Sequence, residues 1–144
     1  MKWLSQPIIK NYFWTALADL KWYYMIKRTL VLGASLKKDR YSNKAIQMLK
    51  ANTIAVFAIG LRKGTVANVT IDTENMPYEN IDTVTLYLNP KRQVEFYSYI
   101  ISLQPKRVIF NPGTENNDFV QLLQENNIES EVACTLVLLA TNQY

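Results

Sequence analysis

The chain contains no histidine and a single cysteine, Cys134. Without an imidazole, neither a Ser-His-Asp nor a Cys-His catalytic centre can be assembled, and histidine-containing zinc sites are excluded. One thiol cannot build a disulfide framework or a thiolate cluster, and it fits a reducing cytoplasm. Any catalysis would fall to Asp, Glu, Lys, Tyr or that lone thiol. Glycine is scarce as well, at four residues. A dinucleotide turn of the form G-x-G-x-x-G would need glycine at 33, 35 and 38, where the sequence has Gly33, Ser35 and Lys38. No G-x-x-x-x-G-K-S/T occurs, which excludes a P-loop nucleotidase. Uncharged apolar runs also fall short of the roughly 20 residues a membrane span requires, so no membrane partner is expected. No compact apolar segment is followed by a small-residue cleavage site, so a secretory signal is not expected either.

What remains is ordinary for one folded domain: 144 residues, 49% hydrophobic and 19% charged. The net charge of +4 lies within residues 1–28, where Lys2, Lys10, Lys21, Lys27 and Arg28 face only Asp19. The rest of the chain is balanced, so the charge gives no support to a nucleic-acid partner. A local positive stretch stands out at 37–63, with Lys37, Lys38, Arg40, Lys44, Lys50, Arg62 and Lys63 against Asp39. Such a face suits a small polyanion. Trp3, Trp14 and Trp22 all precede residue 25. Ile9, Phe13, Leu17, Leu20 and Tyr24 fall near helical spacing there. Residues 1–24 read as an N-terminal extension or a misassigned start, and 25–144 as the domain proper.

From residue 29 onward, apolar runs alternate with segments of helical period, which predicts an α/β fold. The expected architecture is a doubly wound, mostly parallel, Rossmann-like sheet of five or six strands with helices on both faces. Strands are expected over 29–32, 53–59 ("TIAVFAI", apolar enough to be buried on both faces), 66–71, 83–88, 107–110 and 130–133. Helices are expected from Ser42 as N-cap, over 91–103 behind Asn89-Pro90, over 117–126, and in "TLVLLAT" at 135–141.

In such a sheet the ligand crevice lies beyond the carboxyl ends of the strands, where the strand order reverses. Four loops then matter: Gly33 to Ser42, Gly60 to Gly64, Asn89-Pro90, and Asn111-Pro112-Gly113. The first can hold a phosphate without a glycine triplet. Gly33 turns the chain, Ser35 offers a hydroxyl, and a helix N-terminus supplies free amides and a positive dipole end. Lys37, Lys38 and Arg40 add charge, and a guanidinium can grip phosphate through two parallel hydrogen bonds. Where an NAD site wants a carboxylate after the second strand, the chain has Gly60, Arg62 and Lys63. A phosphorylated ribose is welcome there, which leaves NADP or coenzyme A. Cys134 reads as a buried structural thiol, with a place near the pantetheine end of a coenzyme as the alternative.

Together the segments "VLGAS...RYSNKA" (31–45), "GLRKG" (60–64), "IDTVTLYLNP" (81–90), "RVIFNPGTEN" (107–116) and "EVACTLVLL" (131–139) resemble the CoA-binding family of small Rossmann-like proteins. That family is similar in fold to the CoA-binding domain of succinyl-CoA synthetase. The resemblance implies that Gly33, Ala34, Ser35 and Arg40 face a CoA diphosphate, and Lys38, Tyr41 and Ser42 of the same loop are further candidate cofactor-binding residues. It further implies that Gly60, Arg62 and Lys63 reach the ADP end, and that Asn89, Pro90, Asn111, Pro112 and Gly113 line the crevice. Two positions depart from the family pattern: Lys38 stands where a proline is usual, and Ile59-Gly60 where an Asn-Pro pair is common. A synthetase-like reaction is excluded, because it needs a phosphorylated histidine. The expected function is non-catalytic binding of coenzyme A or acyl-CoA in the cytoplasm. The alternatives are an NADP-dependent reductase using Tyr41 or Tyr87, and a ligand-free interaction module. The sequence leaves a homodimer or another protein partner open.

Overall fold

A computed structural model describes residues 16–21 and 26–144 of the chain. The extension proposed for 1–24 and its apolar stripe fall largely outside the described residues. Within them, 16–21 are helical, with Leu17 and Leu20 exposed.

The remaining residues build a seven-stranded sheet flanked by helices. In chain order its elements are β1 (Arg28–Ala34), α1 (Tyr41–Ala51), β2 (Ala55–Gly60), β3 (Gly64–Val66), β4 (Val69–Asp72), β5 (Thr83–Leu86), α2 (Pro90–Gln93), a 3₁₀ turn (Val94–Phe96), α3 (Tyr97–Leu103), β6 (Arg107–Phe110), α4 (Asn117–Glu125), β7 (Glu129–Val132) and α5 (Thr135–Ala140). Across the sheet the strands run β3-β4-β2-β1-β5-β6-β7. Every neighbouring pair is parallel except the β3–β4 hairpin.

Alternation along β1 shows how the layers form. Leu30 and Leu32 pack with Val84, Leu86, Val108 and Phe110 against Ile100, Phe119 and Leu123 of α3 and α4. Val31, between them, points to the opposite face with Ala58 and Ile71, against Ile46 and Leu49 of α1 and Leu139 of α5. The central strands are apolar on both sides because both sides are covered.

Three expectations about the elements change. The strand expected over 66–71 is a hairpin, because Ala67 and Asn68 both take left-handed backbone (φ 48° and 63°). Two consecutive positive φ values form the two-residue turn whose twist matches antiparallel strands, and this raises the strand count to seven. The helix expected over 91–103 is interrupted by the 3₁₀ turn. The strand expected from Thr53 begins at Ala55, since Thr53 turns left-handed (φ 59°) to end α1.

Close approach sets the centre of the sheet. Gly33 (φ +94°) forms an irregularity in β1 where the register to β2 shifts. A Cβ there would lie 2.9 Å from the Tyr87 backbone. At Gly60 a Cβ would lie 2.2 Å from the Ala34 carbonyl oxygen, closer than any carbon can sit. Because backbone and not a yielding side chain blocks that methyl, Gly60→Ala is expected to cost about 1–3 kcal/mol. A lowered thermal midpoint measures the effect, and an unchanged midpoint refutes the packing argument.

Candidate functional site

From β1 the chain proceeds outward to β2 and β4 on one side, then returns to place β5 on the other. The order therefore reverses between β1 and β5, and a cleft of about 640 Å³ opens at their carboxyl ends. Its wall takes residues from four places. Gly33 to Lys37 and Arg40 to Ser42 come from the end of β1, the loop after it and the start of α1, and Ile59 to Arg62 from the end of β2. Thr73 follows β4, while Tyr87, Leu88, Arg92, Glu95 and Phe96 follow β5.

The first loop is closed by its own polar groups. The Lys37 amide donates to Ser35 Oγ (3.1 Å), and the Arg40 amide donates to the Lys37 carbonyl (3.2 Å). From α1, buried Asn43 donates its side-chain amide to the Ser35 carbonyl (2.9 Å). This path turns Lys37 into the cleft wall and leaves Lys38 off it. Arg40, not Ser42, is the N-cap of α1. It has extended backbone and makes no capping bond with its side chain. Ser42 is a buried residue of the first turn. The Tyr41 and Ser42 amides, at the first two helical positions, have no intrahelical partner and are free to meet an anion.

Of the residues read from the sequence, Gly33, Ala34, Ser35, Arg40, Tyr41, Ser42, Gly60 and Arg62 meet in this cleft. Lys63 stays outside the wall beside Arg62. Asn89 and Pro90 are also outside it and serve it indirectly. Pro90 opens α2, and the Asn89 side chain accepts from the Arg92 amide (3.0 Å), fixing the turn that carries Arg92 to the wall. Asn111 acts differently from a ligand residue. It is buried, and its amide donates to Thr85 Oγ1 (2.6 Å) and to the Leu86 carbonyl (2.9 Å). Its oxygen accepts from the Thr135 amide (2.9 Å). The side chain is fully occupied in tying β5 to the start of α5. Pro112 and Gly113 are exposed beyond the wall, with the Gly113 amide bonded to Glu115.

Sequence reasoning missed Leu36, Leu61, Thr73, Arg92, Glu95 and Phe96. Only Arg92 carried a signal, as a cation in the first turn of a helix that follows a central strand. A second buried amide braces that wall. Gln93 donates to the Leu88 carbonyl (2.8 Å) and the Thr114 carbonyl (2.7 Å), and accepts from Asn116 (2.9 Å). Asn116 in turn caps α4 by accepting from the Phe119 amide.

Four cations, Lys37, Arg40, Arg62 and Arg92, thus share the cleft with one carboxylate, Glu95. Tyr87 lines the cleft, but its hydroxyl is shielded from solvent without a well-formed hydrogen bond. It faces Thr85 and Thr135, whose hydroxyls already pair with each other (2.8 Å). Burial is the main cause that pushes this phenol up to about 12, and the two threonines offset it only in part. Among the described residues no group of His, Cys, Asp and Glu is arranged to hold a metal ion. Nor is any helix there long and apolar enough to cross a membrane.

Residues 27–140 match the model of a family described as a CoA-binding domain. The chain is 46% identical to a crystallised protein described only as uncharacterised. The match covers 83% of this chain and 98% of that one, with a TM-score of 0.80. A Thermus thermophilus protein shares the fold at 17% identity (88% and 98% covered, TM-score 0.75). A hypothetical protein from Pyrococcus horikoshii does so at 20% identity (84% and 88% covered, TM-score 0.69). No match was found among curated proteins.

Two outcomes are expected. Asn111→Ala strands the Thr135 amide and takes one of two partners from the Thr85 hydroxyl, and should lower unfolding free energy by about 1–3 kcal/mol in denaturant titration. Because Tyr87 keeps its proton to about 12 when folded but only to about 10 when unfolded, its contribution is intact below pH 10. It is lost as pH rises towards 12. Tyr87→Phe should therefore flatten the decline of stability across that window, and an unchanged pH profile would refute the assignment.

Proposed function

The chain belongs to the CoA-binding domain family, and from that premise we propose that it binds coenzyme A or an acyl-CoA without catalysing a reaction. The observation that carries this is the convergence of four cations and the free amides of α1 on one cleft at the reversal of strand order. Coenzyme A presents two anionic centres, a diphosphate and a ribose 3′-phosphate. The diphosphate would lie along Gly33 to Ser35, held by Lys37, Arg40 and the Tyr41 and Ser42 amides. Arg62, at the end of β2, would meet the 3′-phosphate. The pantetheine arm would run past Tyr87, Leu88 and Phe96. Against a reductase stands the environment of Tyr87, one of its two candidate donors; the other, Tyr41, is an exposed residue of the cleft wall. The Tyr87 hydroxyl is turned out of the cleft and held protonated. A cytoplasmic setting goes with the single free thiol, Cys134.

Calorimetric titration with CoA, NADPH and ADP tests the proposal. CoA should bind most tightly, on a micromolar scale, and Arg40→Ala should weaken it about tenfold or more. Binding should also weaken with added salt, because the diphosphate contacts are ionic. Tighter binding of NADPH than CoA would overturn the ranking. If no nucleotide shifts the melting temperature, the ligand-free module stands instead.

A further inference from the structure

Three of the four cleft cations come from the side of the cleft where both phosphate centres of coenzyme A are read. Lys37 and Arg40 follow β1, and Arg62 follows β2. Arg92 is the exception. It lies on the wall after β5, within α2, and no phosphate falls to it. Its backbone is firmly held there. The Asn89 side chain accepts from the Arg92 amide (3.0 Å), and the next residue, Gln93, is fully buried and bonded to the Leu88 and Thr114 carbonyls. The Arg92 side chain is half-buried, yet among the described residues it makes no ion pair and donates no hydrogen bond. Even Glu95, exposed in the same wall, leaves it unpaired. A partly desolvated guanidinium without an acceptor costs stability, so the fold itself gains nothing from it.

We propose that Arg92 receives the carboxylate of an acyl group, which makes the ligand of this cleft a coenzyme A thioester of a dicarboxylic acid. The inference rests on the CoA reading of the same cleft and names its acyl class. The pantetheine arm is read past Tyr87, Leu88 and Phe96, and Arg92 lies between the last two in sequence. What that arm carries along this wall is its thiol and any acyl group on it. A saturated acyl chain offers a guanidinium no acceptor at its end, whereas a carboxylate matches its two parallel N–H groups. Glu95 disfavours a phosphate here. It balances Arg92 within the wall, so a dianion meets repulsion where a singly charged group can still use the directional bonds. Half-buried Phe96 supplies apolar surface for the methylenes between thioester and carboxylate.

Calorimetric titration of the full chain with two pairs of thioesters, matched in carbon number, tests this: malonyl-CoA against propanoyl-CoA, and glutaryl-CoA against pentanoyl-CoA. In at least one pair the wild type should bind the dicarboxylic member about tenfold more tightly, as a charge-assisted bond predicts. Arg92→Gln should abolish that preference, and any loss that strikes both members of a pair cancels in the comparison. Arg92→Lys keeps the charge without the fork and should retain only part of it. Glu95→Gln should enlarge the preference by removing a repulsion. Equal wild-type affinity within both pairs overturns the proposal and leaves the CoA reading standing. A wild-type preference that survives Arg92→Gln does the same. Loss of every thioester in Arg92→Gln also overturns it, by placing Arg92 on the part of the coenzyme they share. If the wild type binds neither CoA nor any thioester, both readings fall together.

Discussion

The arrangement depends on how closely β1 approaches its neighbours at its carboxyl end. Gly60 lies against the Ala34 carbonyl and Gly33 against the Tyr87 backbone, with no room for a methyl at either position. That contact lets three strand ends converge on one point without side chains between them. The cleft above them therefore has a backbone floor, where an anion can approach main-chain amides directly. Replacing either glycine would push the strands apart at the floor of the cleft.

Polar groups buried behind this floor hold the loops in place. Asn111 joins β5 to the start of α5, Asn43 joins the first loop to α1, and Gln93 joins the segments after β5 and β6. Each of these amides satisfies backbone groups near the carboxyl ends of the strands, two of them from the helices that follow and Asn111 from directly after β6. The cations they position are exposed or half-buried and make few bonds of their own. Rigidity and recognition are thus carried by different residues.

Much of this was legible in the sequence. Alternating apolar runs gave the parallel α/β order, and Asn89-Pro90 marked a helix start. The basic stretch at 37–63 marked one side of the cleft. The hairpin at Ala67-Asn68 was hidden because alanine carries no turn signal, and its left-handed backbone is imposed by the pairing of Val66 with Val69. Lys37 and Lys38 look alike in a sequence. Only the Ser35 and Asn43 bonds determine which one faces inward. Asn111 has the composition of a ligand loop, but the buried Thr85 and Thr135 groups claim its side chain. Leu36 carried no periodicity, and its position follows from the missing side chain at Gly64, which receives it.

The bracing of Gln93 has a mechanical consequence. Its amide holds the carbonyl of Leu88 in the cleft wall and also bonds Asn116, whose oxygen caps α4. Any outward movement of the wall at Leu88 would pull on that cap and loosen the first turn of a helix more than twenty residues away in sequence. The compliance of the site is therefore set by the fraying of α4. Amide hydrogen exchange at Phe119 and Val120 would report a breathing motion of the cleft, even though neither residue lines it.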